Sequence, residues 1–413
     1  MKLAITTNNA PPARLLDLTR SLTRAGRQPT GVDRVELAYL DHLLQDDVPL
    51  FGLVRTGAGY LLLDHVGLGA VRDAFHGRVP WGPVDPLSWL FRKRPEVVRR
   101  AESTLRRIAV GRCLSGRLPG VLRRHLPEGT VYLNTGHTAL DRPALQAIRD
   151  GTKGPIAVLI HDTIPLDHPE YQRPGTVDLF RSRLDAAGAE ADLILCNSQF
   201  TADRLRAHLT DCPDLLIAPL GVTRAAPDPA ALPADLDLDR PYFVTIGTIE
   251  PRKAHDLLLD VWDELAREYP AQDLPGLVIC GSRGWNNDAV FARLDALPST
   301  SPIRELPGLS DGAIAALLRR SRGLLFPSRA EGYGLPPLEA ALSGVSIYLR
   351  DLPVYRETLG DIPVYVNETE GYLWKNVVEG QVTSRHQEDV NVTRPTFTAP
   401  TWADHFDIVC TRV

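Results

Sequence analysis

Short apolar runs alternate with longer amphipathic segments along most of the chain. Apolar runs bounded by turn residues predict buried strands, and apolar residues spaced three and four apart predict helices. Strands are expected in the first half at 13–18, 50–54, 60–63, 130–133, 156–160, 193–196 and 215–218. Strands are expected in the second half at 242–246, 277–280, 303–306, 323–328, 345–349 and 364–366. Strands that alternate with helices predict, in each half, a parallel sheet with helices on both faces.

A proline-rich segment without an apolar pattern, residues 223–240, divides the two halves and is typical of a linker. The sequence therefore predicts a first domain over residues 1–222 and a second domain over residues 241–398. Residues 399–413 have the pattern of a capped helix. Ligands of such folds bind beyond the carboxyl ends of the strands, so we expect loops of both domains to meet in one cleft.

The composition is that of a soluble globular protein of 413 residues with a formal net charge of −5. No apolar run is long enough to span a membrane, and the first residues lack the apolar core of a signal peptide. The five cysteines are scattered and lack metal-ligand spacing. These features predict a cytoplasmic protein with reduced thiols.

One stretch, Arg92 to Arg124, contains eleven basic residues and only two acidic ones, and aromatic residues precede it. A basic helical segment beside aromatic residues can bind an anionic membrane surface. An arginine-rich face that is merely solvated explains the stretch equally well. We do not expect nucleic acid as a partner, because the whole chain is acidic and contains no motif for it.

The segment from residue 323 to residue 344 predicts a strand, a glycine loop and a helix. Gly332 and Gly334 allow close approach of the backbone to a ligand, and the prolines at 336 and 337 suit the first turn of a helix. Free backbone N–H groups at a helix N-terminus bind anions. Glu331 lies in the same loop, and its carboxylate there indicates a neutral neighbour, such as a sugar hydroxyl.

Two cations, Arg252 and Lys253, follow the predicted strand 242–246 and can donate to phosphate oxygens. Asp235, Asp237 and Asp239 imitate a metal-binding DxD motif but lie in the linker, so no metal site is predicted. The residues GSRG at 281–284 are not a full dinucleotide fingerprint, which argues against a dehydrogenase.

Several of these segments together resemble the family 4 retaining glycosyltransferases of the GT-B fold, in particular bacterial mannosyltransferases. The second half contributes GTIEPRK, CGSRGW and EGYGLPPLEAALSG, and the first half contributes TGVDRVELAYL, VLIHDTIPLDHPEY and CNSQFTADRL. The resemblance implies an α/β architecture with two Rossmann-like domains whose parallel sheets face each other across a cleft. It also implies that the C-terminal helix, residues 399–413, can cross back to the first domain.

The resemblance also implies roles for the matching residues. The donor diphosphate would be bound by Arg252, Lys253, Gly334 and Leu335. The ribose would be held by Glu339, and the donor sugar by Glu331 and Gly332. His161 would lie with Glu331 at the reacting centre, and Gly31 would let its loop approach phosphate and acceptor. For His137 the resemblance gives no role.

The function implied is transfer of a hexose from a GDP- or UDP-sugar to a hydroxyl of a glycan or lipid-linked acceptor in cell-surface polysaccharide biosynthesis. The anomeric configuration would be retained without a metal or other cofactor, and the leaving phosphate would help to deprotonate the acceptor. Such an enzyme would be cytoplasmic, at the inner face of the membrane. Two alternatives stay open: an epimerase or hydrolase of sugar nucleotides, and a GT-B scaffold that binds a partner without catalysis.

Overall fold

The computed structural model describes residues 10–234, 236, 238–366, 371–383 and 397–413. In chain order its strands are β1 Arg14–Asp17, β2 Leu50–Thr56, β3 Gly59–Leu63, β4 Gly111–Cys113, β5 Val131–Asn134, β6 Ile156–Ile160, β7 Leu193–Cys196, β8 Asp214–Ile217, β9 Tyr242–Ile246, β10 Gly276–Cys280, β11 Ile303–Glu305, β12 Gly323–Phe326, β13 Ile347–Arg350 and β14 Val364–Val366. Its α-helices are α1 Thr19–Thr23, α2 Gly31–Leu43, α3 His65–Phe75, α4 Glu96–Ile108, α5 Leu118–His125, α6 Arg142–Thr152, α7 Ile164–Asp167, α8 Thr176–Glu190, α9 Gln199–His208, α10 His255–Glu268, α11 Asp288–Asp295, α12 Asp311–Arg320, α13 Leu335–Leu342, α14 Pro353–Leu359, α15 Gly371–Thr383 and α16 Trp402–Cys410.

The chain divides into two compact units. Unit 1 comprises Met1–Thr163, Asp178–Leu220 and Trp402–Val413, and unit 2 comprises Ile164–Val177 and Gly221–Thr401. Residues 164–177 thus group with unit 2, although they fall within the range 1–222. The segment that contains α16 groups with unit 1. Two aspartates of the DxD-like segment, Asp235 and Asp237, lie outside the described residues, as do residues 1–9, on which the prediction about a signal peptide depends.

The sheet of unit 1 has the strand order β4-β3-β2-β1-β5-β6-β7-β8 over the described residues. All strand pairs from β2 to β8 are parallel, whereas β3 pairs antiparallel with both β2 and β4. The parallel order expected for this half therefore holds from β2 to β8, and the two strands expected at 50–54 and 60–63 form an antiparallel hairpin at the edge. Only two residues, Gly57 and Ala58, separate β2 from β3, and so short a turn can join only antiparallel strands.

Strands β6 and β7 of unit 1 are apolar along their whole length, as expected of parallel strands that are buried on both faces of a sheet. Every residue of β6 and β7 is buried, as is Leu15 of β1. The polar residues of these connections are found after the strands end, at Thr135, His161 and Asn197. Burial of the strands therefore fixes the positions of the polar loops that follow them.

A fully buried histidine, His405, packs helix α16 against the rest of unit 1. The ring of His405 places Nε2 2.9 Å from the hydroxyl of Tyr39 and Nδ1 3.0 Å from the carbonyl of Pro219. Phe406 packs edge-on against Tyr39, with ring centroids 5.0 Å apart. At the end of the chain, the guanidinium of Arg14 donates to the carbonyl of Val413 at 3.1 Å. The C-terminal residues thus complete the core of unit 1.

The sheet of unit 2 has the order β11-β10-β9-β12-β13-β14 over the described residues, and all of its strand pairs are parallel. Phe243 of β9 packs edge-on against Trp262 of α10, and the indole N–H of Trp262 donates to the carbonyl of Pro275 at 2.9 Å. Trp374 of α15 is buried in the same core. This core holds the carboxyl ends of β9, β10 and β12 side by side, where the predicted donor loops begin.

None of the helices in the described ranges is long and apolar enough to cross a membrane.

Candidate functional site

In unit 2, the loops that follow β9 and β12 bring three predicted site residues into direct contact. The Nζ of Lys253 and the guanidinium of Arg252 both reach Oε1 of Glu331, the latter at 2.8 Å. Arg252 also pairs through Nε with Glu250 at 2.6 Å and donates to the carbonyl of Ala330 at 3.0 Å. The carboxylate that the sequence placed beside sugar hydroxyls therefore also fixes the two cations predicted to bind phosphate.

The pKa values of this cluster reflect a buried network of charges. Burial raises the pKa of Glu331, but Arg252 and Lys253 outweigh that effect and bring it down to about 2. Burial lowers the pKa of Lys253, whereas Glu331 raises it in part. Only 7% of Lys253 and 9% of Glu331 are exposed to solvent. Each charge therefore depends on its partner, since an unpaired buried charge is costly.

Two glycines, at the ends of β9 and β10, allow the close packing of the backbone beside Lys253. A Cβ on Gly247 would lie 3.1 Å from Cε of Lys253, and Gly247 has a φ of +137°. A Cβ on Gly281 would lie 1.8 Å from the carbonyl oxygen of Gly247, which no side chain tolerates. The Lys253 ammonium lies 4.3 Å from the ring centroid of Phe326 in a cation–π contact. Close backbone packing thus positions the side chain of Lys253.

Helix α13 begins at Leu335, immediately after Gly334, as the prolines at 336 and 337 predicted. Gly334 has a φ of +88°, and a Cβ there would lie 2.6 Å from the ring of Tyr355. The glycine is therefore required both by the backbone conformation and by the close approach of Tyr355. Gly332 is buried in the preceding loop, and Glu339 lies half-buried in the second turn of α13. Their predicted contacts with ribose and sugar stay predictions.

In unit 1, His161 follows β6 directly and contacts the loop that follows β5. Its Nε2 lies 2.7 Å from the carbonyl oxygen of Thr135, which can only accept, so Nε2 carries the proton and donates. The amide of Asn197 donates to the carbonyl of His161 at 2.9 Å. Burial lowers the pKa of His161 to about 4, and the ring is therefore neutral at pH 7. A neutral ring protonated on Nε2 has an acceptor lone pair on Nδ1.

His137, to which the resemblance assigns no role, lies beside His161. Their ring centroids are 4.9 Å apart, and the ring of Phe180 in α8 packs edge-on against His137. His137 has a φ of +55°, a left-handed conformation that is uncommon for a residue other than glycine. Burial, followed by the neighbouring His161, lowers its pKa well below the ordinary value. The two rings form a neutral pair, in which His161 is buried and His137 is partly buried.

Gly31 is exposed as the first residue of α2, at the helix entrance that the sequence predicted. The first turn also contains Asp33, whose carboxylate accepts from the N–H of Thr30 at 2.7 Å. Arg20 and Arg24 each place Nε 2.6 Å from this carboxylate. At this helix N-terminus, Asp33 therefore shares its negative charge between two arginines. The sequence alone does not predict this arrangement, because the arginines reach Asp33 only when α1 and α2 pack together.

The basic stretch separates into two parts in the structure. On α4, the arginines hold the preceding loop: Arg106 pairs with Asp85 at 2.6 Å, and Arg100 donates to the carbonyl of Trp81 at 2.7 Å. In the second part, α5 and the residues before it line a surface depression of about 570 Å³. The cationic or titratable residues of its lining are Arg112, Arg117, Arg123, Arg124 and His125.

No group of three or more His, Cys, Asp or Glu side chains in the described part of the chain is arranged to hold a metal ion. Metal-independent chemistry stays a prediction.

Parts of the chain are similar to a protein family and to bacterial glycosyltransferases. Residues 233–373, which include the Arg252, Lys253 and Glu331 cluster, match the family model Glycosyl transferases group 1. The serotype-specific mannosyltransferase WbdA of Escherichia coli is 32% identical over 216 residues, or 48% of this chain and 26% of that protein. The D-inositol 3-phosphate glycosyltransferase of Rhodococcus opacus (strain B4) is 32% identical over 204 residues, or 47% of this chain and 44% of that protein. The chain thus spans about a quarter of WbdA.

Solved structures give the fold. The Anabaena protein Alr3699/HepE in complex with UDP-glucose superposes with a TM-score of 0.59 at 15% identity, covering 96% of this chain and 95% of that one. The apo structure of OtsA superposes with a TM-score of 0.52 at 13% identity, covering 97% of this chain and 96% of that one. These findings show a Glycosyl transferases group 1 domain at residues 233–373 and a chain that has the GT-B fold.

Proposed function

We propose that this chain transfers a hexose from a nucleotide diphosphate sugar to a hydroxyl of a glycan or lipid-linked acceptor, with retention of configuration. The observation that carries the proposal is the buried cluster of Arg252, Lys253 and Glu331 within the group 1 domain. A glycosyl donor leaves as a diphosphate, and its growing negative charge must be stabilised. Two preorganised cations held by one carboxylate supply that stabilisation without rearrangement.

The N-terminus of α13 gives a second source of positive potential in unit 2. In the first turn of α13, Gly334 and Leu335 can offer backbone N–H groups to an anion, which the helix dipole favours. Pro336 and Pro337 have no N–H, and Leu338 donates to the carbonyl of Gly334 at 3.3 Å. We expect Gly334 and Leu335 to donate to the diphosphate together with Arg252 and Lys253. Glu331 keeps both cations in place and, through the same carboxylate, accepts from a donor sugar hydroxyl.

For unit 1 we propose that His161 accepts a hydrogen bond from a substrate hydroxyl at Nδ1. Its ring is neutral and its Nε2 proton is engaged by Thr135, so Nδ1 is the acceptor. With a pKa of about 4, the ring is only a weak base at pH 7. This agrees with a mechanism in which the leaving phosphate, rather than a protein base, receives the acceptor proton.

The relatives support a mannose donor first and a UDP-sugar second. WbdA and the Escherichia coli O-antigen chain mannosyltransferase B, 33% identical over 124 residues, are mannosyltransferases by name. The HepE structure contains UDP-glucose. GDP-mannose and UDP-glucose are therefore the first donors to test, with a cell-surface glycan as acceptor.

The test is a panel of GDP-, UDP- and ADP-sugars, with the products identified by mass spectrometry and the anomeric configuration by NMR. We expect an acceptor-dependent product with the donor's own configuration. Release of free sugar in the presence of acceptor would favour a hydrolase, and a new sugar nucleotide would favour an epimerase. Tight donor binding with no product from any donor would favour the scaffold.

We also propose that the depression lined by α5 binds an anionic membrane surface at the cytoplasmic face. The double substitution Arg123→Gln/Arg124→Gln should weaken flotation with vesicles of phosphatidylglycerol and phosphatidylcholine at low salt. The matched control is Arg319→Gln/Arg320→Gln, another exposed arginine pair at the end of a helix. Equal binding by both variants would exclude the depression as the membrane contact.

A further inference from the structure

Arg183 is a half-buried cation whose guanidinium has no partner in the part of the chain that the structure describes. No hydrogen bond or ion pair of its guanidinium is formed within the described residues. Burial lowers the pKa of Arg183, and the like charge of Arg20 lowers it further. A half-buried guanidinium beside another cation weakens the fold, so its presence is better explained by a ligand.

The position of Arg183 is fixed by its helix. Phe180 packs against His137, with ring centroids 6.2 Å apart, and Arg183 lies one turn further along the same face of α8. Arg20 approaches the same loop from α1, because a Cβ on Gly136 would lie 2.8 Å from Cβ of Arg20. Both arginines lower the pKa of His137. The two cations therefore flank the Gly136–His137 loop after β5.

Acidic groups around this loop do not cancel the positive charge. The carboxylate of Asp33 is shared between Arg20 and Arg24, at 2.6 Å from each Nε. Glu36 lies against Gly136, but burial raises its pKa to about 8, so it is protonated at pH 7. His137 and His161 are neutral. The surplus positive charge of the cluster thus rests on Arg183 and on the pair of arginines that share Asp33.

We propose that Arg183 and Arg20, around the Gly136–His137 loop, form an anion-binding site in unit 1 that takes a phosphate group of a substrate. Guanidinium groups bind phosphate oxygens with paired, charge-assisted hydrogen bonds, and neutral imidazoles beside them do not oppose the anion. The existence of this anion-binding site does not depend on glycosyl transfer. The identity of the molecule that carries the phosphate rests on the proposed function. This phosphate belongs either to the donor diphosphate or to the acceptor.

The experiment uses the full chain carrying Lys253→Gln, which removes a donor-phosphate contact from unit 2. Thermal-shift titration with inorganic pyrophosphate measures the remaining anion binding. Adding Arg183→Gln should raise the apparent Kd at least about tenfold, because charge-assisted hydrogen bonds to the anion are lost. Arg181→Gln, two residues earlier in α8, is the matched control and should leave the Kd unchanged.

Two further measurements are needed. The affinity for GDP and UDP identifies the molecule that carries the anion, and the melting temperature without ligand tests whether Arg183→Gln is folded. In the chain with Lys253 intact, a weaker affinity of Arg183→Gln for GDP or UDP assigns the site to the donor diphosphate. An unchanged GDP and UDP affinity with weaker pyrophosphate binding assigns it to the acceptor. Without ligand, Arg183→Gln should melt at the same or a higher temperature than the parent. Unchanged pyrophosphate binding, or its complete loss in Lys253→Gln alone, would overturn the proposal.

Discussion

The buried carboxyl of Glu36 makes the stability of the folded protein depend on pH. It is fully buried, its Oε1 accepts from the N–H of Ser21 at 2.8 Å, and its Oε2 has no hydrogen-bond partner among the described residues. Burial, reinforced by Asp17, raises its pKa from 4.5 to about 8, although the hydrogen bond from Ser21 acts in the opposite direction. The folded protein therefore keeps this proton in a range where the unfolded chain has lost it.

Stability from Glu36 should consequently be present below pH 4.5 and lost as the pH rises to about 8. The substitution Glu36→Gln keeps the shape of the neutral acid and removes the titration. We expect the melting temperature of Glu36→Gln, relative to the parent, to rise between pH 5 and pH 9, by an amount equivalent to roughly a few kcal/mol. A difference that stays constant across this range would show that Glu36 titrates normally.

Gly334 offers a second test at the residue scale, because Gly344 provides an internal control. Both have a positive φ, +88° and +70°, but only Gly334 is crowded by a neighbouring ring. Gly344→Ala should cost about 1–2 kcal/mol from the backbone conformation alone. Gly334→Ala should cost more and should also weaken nucleotide binding, as urea unfolding and calorimetry would show. Equal costs would mean that Tyr355 moves aside freely.

Residue types at the site were evident from the sequence, but their pairings were not. Arg252, Lys253 and Glu331 were each identified as site candidates. Yet Lys253 and Glu331 are separated by 78 positions, and their contact exists only because β9 and β12 are neighbours in the sheet. Arg183 escaped notice for the same reason, since only the folded chain shows that its guanidinium has no partner among the described residues.

At the scale of elements, helix α16 makes the sharpest prediction. His405 is fully buried between Tyr39 and Pro219, and its pKa is lowered by burial to about 4. His405→Ala should cost about 2–5 kcal/mol through the cavity and the lost hydrogen bonds. Asp407→Ala, an exposed change in the same helix, should cost little. Equal melting temperatures for the two variants would contradict the anchoring role of His405.

Strands were predictable where the apolar pattern was strong. They were not predictable where a strand forms only by pairing with a neighbouring strand. Apolar runs correctly placed β6, β7, β9 and β12 to within a residue or two. Strand β4 was missed because Gly-Arg-Cys has no strand pattern, and it forms only by pairing with the edge strand β3. Local sequence cannot contain that information.

At the scale of the whole molecule, the alternating pattern predicted two α/β units, and the structural relatives confirm the GT-B fold. Assignment of residues 164–177 to unit 2 was not predictable, because the grouping depends on contacts with residues far away in the chain. Donor, acceptor and stereochemistry are likewise not encoded in the pattern of elements. They depend on contacts with a substrate, which only binding and turnover measurements report.

The central claim is that Lys253, buried and paired with Glu331, stabilises a departing diphosphate. Its most direct test is kcat/KM for hexose transfer from the best donor of the panel, measured for the parent, Lys253→Ala and Lys153→Ala. Lys153 is an exposed lysine in unit 1 and serves as the control. We predict a loss of at least about 100-fold for Lys253→Ala, as expected when a preorganised charge is removed, and none for Lys153→Ala. A folded Lys253→Ala protein with the parent's kcat/KM would contradict the account.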